Sequence, residues 1–276
     1  KLSFLFSPSI IILFLLVIFS KLFLTYLFYQ LLKIVSLKEV SFYKISNYFL
    51  QGGMVNQLLP GIGFIYKYIK INNELNINIS EFTTAQSLWS IFNLGSYILL
   101  AIILGYATID FTLSFWLIII CLILVLSLIF FKLRNQIYLT LKKYLLKIKR
   151  VLNIIDQLKM VKLNINERAY LIFAVFFGFI FLGLLQCLNF YIGLKIFGSD
   201  ISFISSNYVY ISTSLASIMT MFSFIGGFEL ILHFSSSIIV PSIKNILIFG
   251  FAYRFISIIS TFILIILFSI WHKIAG

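Results

Sequence analysis

Apolar residues come in long runs divided by short polar breaks, and the run lengths predict the elements. A helix needs roughly 20 apolar residues to cross the hydrocarbon core of a bilayer. Ser9 to Leu32 is long enough, although Lys21 falls near its middle, and Lys33, Lys38 and Lys44 follow it. Glu81 to Tyr106, Phe111 to Phe131, Tyr170 to Ile192 and Ile246 to Trp271 are further runs of spanning length. Asn72 to Ser80 is polar and rich in Asn, and it reads as a loop. Ser80, Thr83 and Thr84 offer a cap for the helix that follows. A tight polar turn falls at Thr108–Thr112, and Lys195 to Ser202 is a short polar loop.

Two other apolar stretches are broken. Asn47 to Lys70 is interrupted by Pro60, Gly61 and Gly63 and carries amides at Asn56 and Gln57. Proline removes a backbone donor and glycine loosens a helix, so a plain span gains nothing from such a break. Broken backbone at membrane depth is tolerated only where protein or a watery cavity covers it. The stretch is therefore expected to enter the membrane, turn at Pro60–Gly63 and leave on the side it came from. Phe203 to Val240 is rich in serine, is broken at Ile225-Gly226-Gly227-Phe228-Glu229, and is closed by Pro241. Gly61-Ile62-Gly63-Phe64 and Ile225-Gly226-Gly227-Phe228 echo each other weakly.

Lys132 to Arg168 differs from the rest. It holds ten of the 21 Lys/Arg residues and two acids, Asp156 and Glu167. Leu133, Ile137, Leu141, Leu145, Ile148, Leu152, Ile155 and Leu158 recur at spacings of three and four, the pattern of an amphipathic helix. Such a helix lies on a membrane surface or on the protein's own cytoplasmic face, or serves as a solvated connector. The positive-inside rule then bears on topology. A re-entrant Asn47–Lys70 puts Lys33, Lys38, Lys44, Lys67, Lys70 and this basic segment on one side, whereas a full crossing splits them. The same reasoning makes Phe203–Val240 re-entrant from the opposite face. The predicted fold is all-α, a polytopic helical membrane protein with about five full spans and two re-entrant broken helices in an inverted repeat. It forms one integral membrane domain, with residues 1–131 as first repeat plus bridging helix, 132–168 as the basic cytoplasmic segment and 169–276 as second repeat.

Composition agrees. Of 276 residues, 62% are hydrophobic and 11% charged, with a mean hydropathy of +1.10; soluble domains average about 25% charged. That leaves no room for a separate soluble catalytic domain. The net charge of +13 must gather in loops. Without a soluble fold it suggests anionic lipid on the inner leaflet rather than nucleic acid. Cys121 and Cys187 sit in apolar runs and read as small buried hydrophobes. No metal-ligand cluster, phosphate-cradling glycine loop or nucleophile–base pair stands out, so no cofactor or metal is expected and a transporter is favoured over an enzyme. The chain starts at Lys1 rather than Met, which leaves room for a missing N-terminal piece. The first apolar run exceeds a signal-peptide core and lacks a small-residue cleavage site, so it reads as a membrane helix.

Ionisable residues inside membrane segments cost about 2.5–3.5 kcal/mol or more and are kept for function or paired. Glu229 is the one acid in the second broken stretch, and Arg254 in the next helix is its natural partner. The pair either pins the hairpin or forms the floor of a polar cavity that meets a headgroup. His233 is four residues after Glu229 and either shares its face or rests at headgroup level. Lys67 and Lys70 are positive-inside anchors or catch a phosphate at the cytoplasmic mouth. Asn56 and Gln57 either satisfy the backbone freed at Pro60 or contact a headgroup. Lys21 is expected to snorkel, and Ser235–Ser237 to let helices pack closely.

At these residues the chain resembles the transmembrane domain of the lysylphosphatidylglycerol synthase family, flippase-like integral membrane proteins. Asn56, Pro60, Gly61 and Gly63 are similar to a family motif Asn-x-x-x-Pro-Gly-x-x-Gly-Glu, with the second glycine displaced and Phe64, Ile65 and Tyr66 where Glu is expected. Gly226, Gly227, Glu229 and Arg254 resemble a second motif, a glycine pair followed by Glu and then Arg in the next helix. Its usual Pro is replaced in the region of Ser223 and Phe224, and a common N-terminal span is not found. The resemblance implies movement of a phospholipid or lipid-linked headgroup between leaflets, in the plasma membrane of a prokaryotic cell. It implies membrane lipid, anionic or lipid-linked, as substrate. The alternative is an anchor or accessory subunit for a separate lipid-modifying synthase or glycosyltransferase.

Overall fold

The computed structural model describes residues 8–36, 39–59, 61–106, 168–220, 227–239 and 246–275. These form helices and no strand. In chain order they are α1 (Pro8–Ser36), α2 (Phe42–Leu58), α3 (Ile62–Leu75), α4 (Ile79–Tyr106), α5 (Ala169–Ile196), α6 (Phe203–Thr220), α7 (Gly227–Ile239) and α8 (Ile246–Ala275). Four of them, α1, α4, α5 and α8, are long and apolar enough to cross a membrane. Their outward faces are apolar too; on α5 Phe173, Phe177, Phe181 and Leu184 form an exposed stripe, which suits lipid and not water. The chain is an integral membrane protein, helical throughout the elements described. The expected span Phe111–Phe131 and the basic segment, apart from Arg168, lie outside the described residues, as does Cys121.

The other helices are short. With 17, 14, 18 and 13 residues, α2, α3, α6 and α7 are about 20–27 Å long, less than the roughly 30 Å of a hydrocarbon core. The α2–α3 pair is a hairpin. Its turn ends at Gly61, whose φ of 84° suits a residue without Cβ. Two glycines then let the limbs touch backbone to backbone. A Cβ on Gly63 would overlap the Gly52 carbonyl oxygen, and one on Gly52 would overlap the Lys67 side chain. The hairpin tip presents Leu58, Leu59, Ile62 and Ile65 outward.

Two boundaries differ from the sequence expectation. Helix α2 starts at Phe42 rather than Asn47, and α3 continues to Leu75, so the Asn-rich loop shrinks to Asn76-Ile77-Asn78. The asparagines close the helix instead of dissolving it. Asn76 adopts the left-handed conformation that Asn tolerates, and Asn72 Nδ2 donates to the Ile77 carbonyl at 2.8 Å. The next helix is capped by Glu81, which accepts from the Asn78 backbone N–H at 2.8 Å, half of a capping box. The hydroxyls of Thr83 and Thr84 do not supply that bond; they donate to carbonyls of the preceding turn.

Helices α1 and α5 run antiparallel. Arg168 reaches the Lys33 carbonyl, Leu27 meets Gly178, Phe23 meets Phe181 and Leu13 lies by Gly193. Helices α4 and α5 run parallel, with Trp89 against Phe179, Tyr97 against Gln186 and Leu100 against Gly183. The interfaces come in matched pairs when α1–α4 is laid on α5–α8. α2–α3 corresponds to α6–α7, α2–α8 to α6–α4, α1–α2 to α5–α6, α1–α8 to α5–α4, α1–α4 to α5–α8 and α3–α4 to α7–α8, while α1–α5 corresponds to itself.

Buried apolar side chains form two cores. One gathers Phe28, Phe49, Ile71, Phe82 and Phe179 around the first hairpin. The other gathers Tyr97, Phe190, Tyr210, Leu232 and Phe249 around α6 and α7. Helices α4 and α5 pass through both, so the hairpin and the α6–α7 pair pack at different levels along them. Phe42 touches both Tyr29 and Phe268, which gathers the C-terminal ends of α1 and α8 with the start of α2. Lys33, Lys44, Arg168 and Lys273 lie at or near these ends.

Candidate functional site

In the second half the site is built by close approach of α7 to α8. Gly250 leaves room for Leu232 and the Glu229 side chain at 3.1–3.4 Å from where a Cβ would stand. Arg254 is one turn further along α8, on the same face. Glu229, 1% exposed, therefore meets it, with 2.5 Å between Oε1 and Nε. The guanidinium also lies over the Phe228 ring, 5.3 Å from its centroid, a favourable placement for a cation. Desolvation alone would make either charge costly here, and the pairing offsets it. His233 does not join them. It is exposed beside Phe234, one turn and about 6 Å further along the helix axis than Glu229. Ser236 and Ser237 donate to carbonyls of their own helix.

The first hairpin holds a separate set. Asn56 Oδ1 accepts from the Gly61 backbone N–H at 2.7 Å, so its amide holds the turn. Lys67 turns inward instead of serving as a surface anchor. Its Nζ donates to Gln86 Oε1 at 3.1 Å and lies 4.9 Å over the Phe49 ring and 5.8 Å over Phe28. A polar seam accompanies it: Asn47 Nδ2 donates to Ser269 Oγ, Gln51 Nε2 to Asn47 Oδ1, and Tyr66 to Gln51. Gly63 and Gly227 begin α3 and α7 at or next to their first residues. Pro60 and Gly226 lie outside the described residues.

The structure thus brings Glu229 and Arg254 together, and Asn56, Gly61, Gly63 and Lys67 together, in different cores. It also adds residues that sequence reading passed over. Asn189 Nδ2 donates to Ser20 Oγ at 2.7 Å between α5 and α1, while its Oδ1 is buried without a hydrogen bond. Tyr97 donates to Gln186 Oε1 at 2.6 Å and approaches the Tyr210 hydroxyl at 3.4 Å. Asn207 is buried with neither amide atom bonded. Their common signal is a lone amide inside an apolar run. Cys187 is buried in the second core. Among the described residues there is no group of three His, Cys, Asp or Glu placed to hold a metal. No family model matches this chain, and no curated protein and no solved structure is found to be similar to it.

Proposed function

We propose that this protein moves a phospholipid or lipid-linked headgroup between membrane leaflets, as the flippase-like family it resembles in motif does. The observation that carries the reading is the matched set of interfaces between α1–α4 and α5–α8, centred on the antiparallel α1–α5 contact. It supports an inverted repeat, and short broken helices in inverted repeats hold substrate sites in transporters. The limbs α2–α3 and α6–α7 are too short to span and pack at different levels of α4 and α5, which favours hairpins entering from opposite faces. The parallel course of α4 and α5 calls for a return crossing between them, and Phe111–Phe131 is the apolar run for it. The basic ends near Lys33, Lys44, Arg168 and Lys273 favour that face as cytoplasmic. Glu229, Arg254 and Lys67 then offer charge to a headgroup while the acyl tails remain in lipid.

The test is a leaflet-specific lipid assay in vesicles reconstituted with purified protein, using a panel of headgroups. Transport above protein-free vesicles for at least one headgroup supports the reading. Among the Glu229→Gln molecules that do fold, transport per molecule should fall at least about tenfold, the loss expected for one charge-assisted contact. Wild-type transport by that folded variant removes Glu229 from the mechanism. No transport across the panel, with a lipid-modifying enzyme copurifying, favours the accessory-subunit reading instead.

A further inference from the structure

Lys21 is the fourteenth residue of the 29 in α1. Each end of the helix is thus about 20 Å away, and snorkelling serves lysines near helix ends. The residue is half-buried on an inward face. Val17 and Thr25, four residues to either side, and Phe28, seven residues on, are all buried, and that spacing is one face of a helix. Among the described residues Lys21 makes no hydrogen bond and no ion pair. Another cation is near: α1 packs on α8, and the Arg254 guanidinium acts on Lys21 through space. Leu13 and Phe249 meet at Gly193, so Lys21 and Arg254, eight and five residues further on, stand at about the same level if the helices advance together.

The charges at this level do not balance. Glu229 answers Arg254, and Lys21 is left over. A lone ammonium at mid-membrane is costly, and two neighbouring cations raise that cost. An anion between them lowers it. Ser20, the residue before Lys21, holds the Asn189 amide, whose Oδ1 stays unbonded at 1% exposure. That is an acceptor for a hydroxyl or ammonium next to the anion.

We propose that Lys21 and Arg254 together bind the phosphate of a glycerophospholipid headgroup, with Asn189 accepting from the headgroup's polar substituent. The inference rests on the translocation reading and adds Lys21 and Asn189 to its site.

The test is equilibrium binding, measured on the purified full chain in neutral detergent with short-chain phosphatidylglycerol. Diacylglycerol of the same chain length and inorganic phosphate are the comparison probes. The expected result is tighter binding of the phospholipid than of either comparison probe, weakened about ten- to hundredfold by Lys21→Gln, the range a charge-assisted hydrogen bond contributes. Lys21→Arg should retain most of it, and Lys273→Gln, at an exposed lysine near the end of α8, should change nothing. Lys21→Gln should also melt no lower than wild type, since it removes a charge without a partner. Should Lys21→Gln fail to fold, Lys21→Met takes its place with the same expectation. Wild-type binding by a folded neutral variant overturns the proposal. Equal binding of diacylglycerol removes phosphate from it, and equal binding of inorganic phosphate removes the lipid. Intact phosphate-dependent binding without transport in vesicles overturns the translocation reading and leaves the site standing.

Discussion

Removing the Glu229 carboxylate alone takes from the largely buried Arg254 guanidinium the anion it is paired with. Breaking a buried pair from one side costs about 3–5 kcal/mol, whereas replacing both partners by neutral groups is often nearly neutral. Arg254→Leu should therefore lower the yield of monodisperse protein in detergent, and Glu229→Gln with Arg254→Leu should recover most of it; additive losses would mean the two side chains are not coupled. This pair was legible because two charges stranded in apolar runs have few ways to be satisfied. Lys67 was not. A lysine just after a helix break resembles an anchor, and only the positions of Phe28, Phe49 and Gln86, remote in sequence, show that it turns inward. His233 misled in the other direction, because helical spacing brings it near Glu229 in projection while the fold leaves it outside.

The break in the first hairpin could be read from Pro60, Gly61 and Gly63, since no unbroken helix benefits from them. The reach of its limbs could not, because the Asn-rich stretch has loop composition while its amides close a helix end. Nor could the crossing of Gly52 with Gly63, which depends on how tightly the limbs fold back. The crossing makes a sharp prediction. Gly63→Ala and Gly52→Ala should each destabilise the protein by about 1–3 kcal/mol, the usual cost of overpacking. Gly53, adjacent to Gly52, has nothing within 4 Å of a Cβ, and Gly53→Ala should stabilise by roughly 0.5–1 kcal/mol through helix propensity. Denaturation midpoints of the three variants in one detergent give the ordering, and equal effects at Gly52 and Gly53 would remove the crossing from the account. Asn56→Ala should cost about 1 kcal/mol by the same measurement, the typical worth of one hydrogen bond, through loss of its bond to Gly61.

At the scale of the whole molecule, the membrane class and the four long spans follow from run length and composition, whereas the pairing of α1 with α5 has no local signature. The opposed hairpins can be tested by accessibility. Single cysteines introduced at Asn73 and Lys149 in a background lacking Cys121 and Cys187 should label from one side of the membrane, and one at Asp200 from the other. Labelling of Asn73 and Asp200 from the same side would sink the arrangement. The α1–α5 contact also sets a clock for biogenesis. Ser20 and Asn189 are 169 residues apart, so at roughly 5–20 residues per second the ribosome needs about ten to thirty seconds to supply the partner. For that interval the side of α1 that faces α5, with Ser20 on it, waits for its partner while α2 and α4 are already made. Residues 1–131 expressed alone should be degraded rapidly in a pulse-chase experiment. Co-expression with residues 132–276 should rescue them, because the two fragments complete each other's missing helix face.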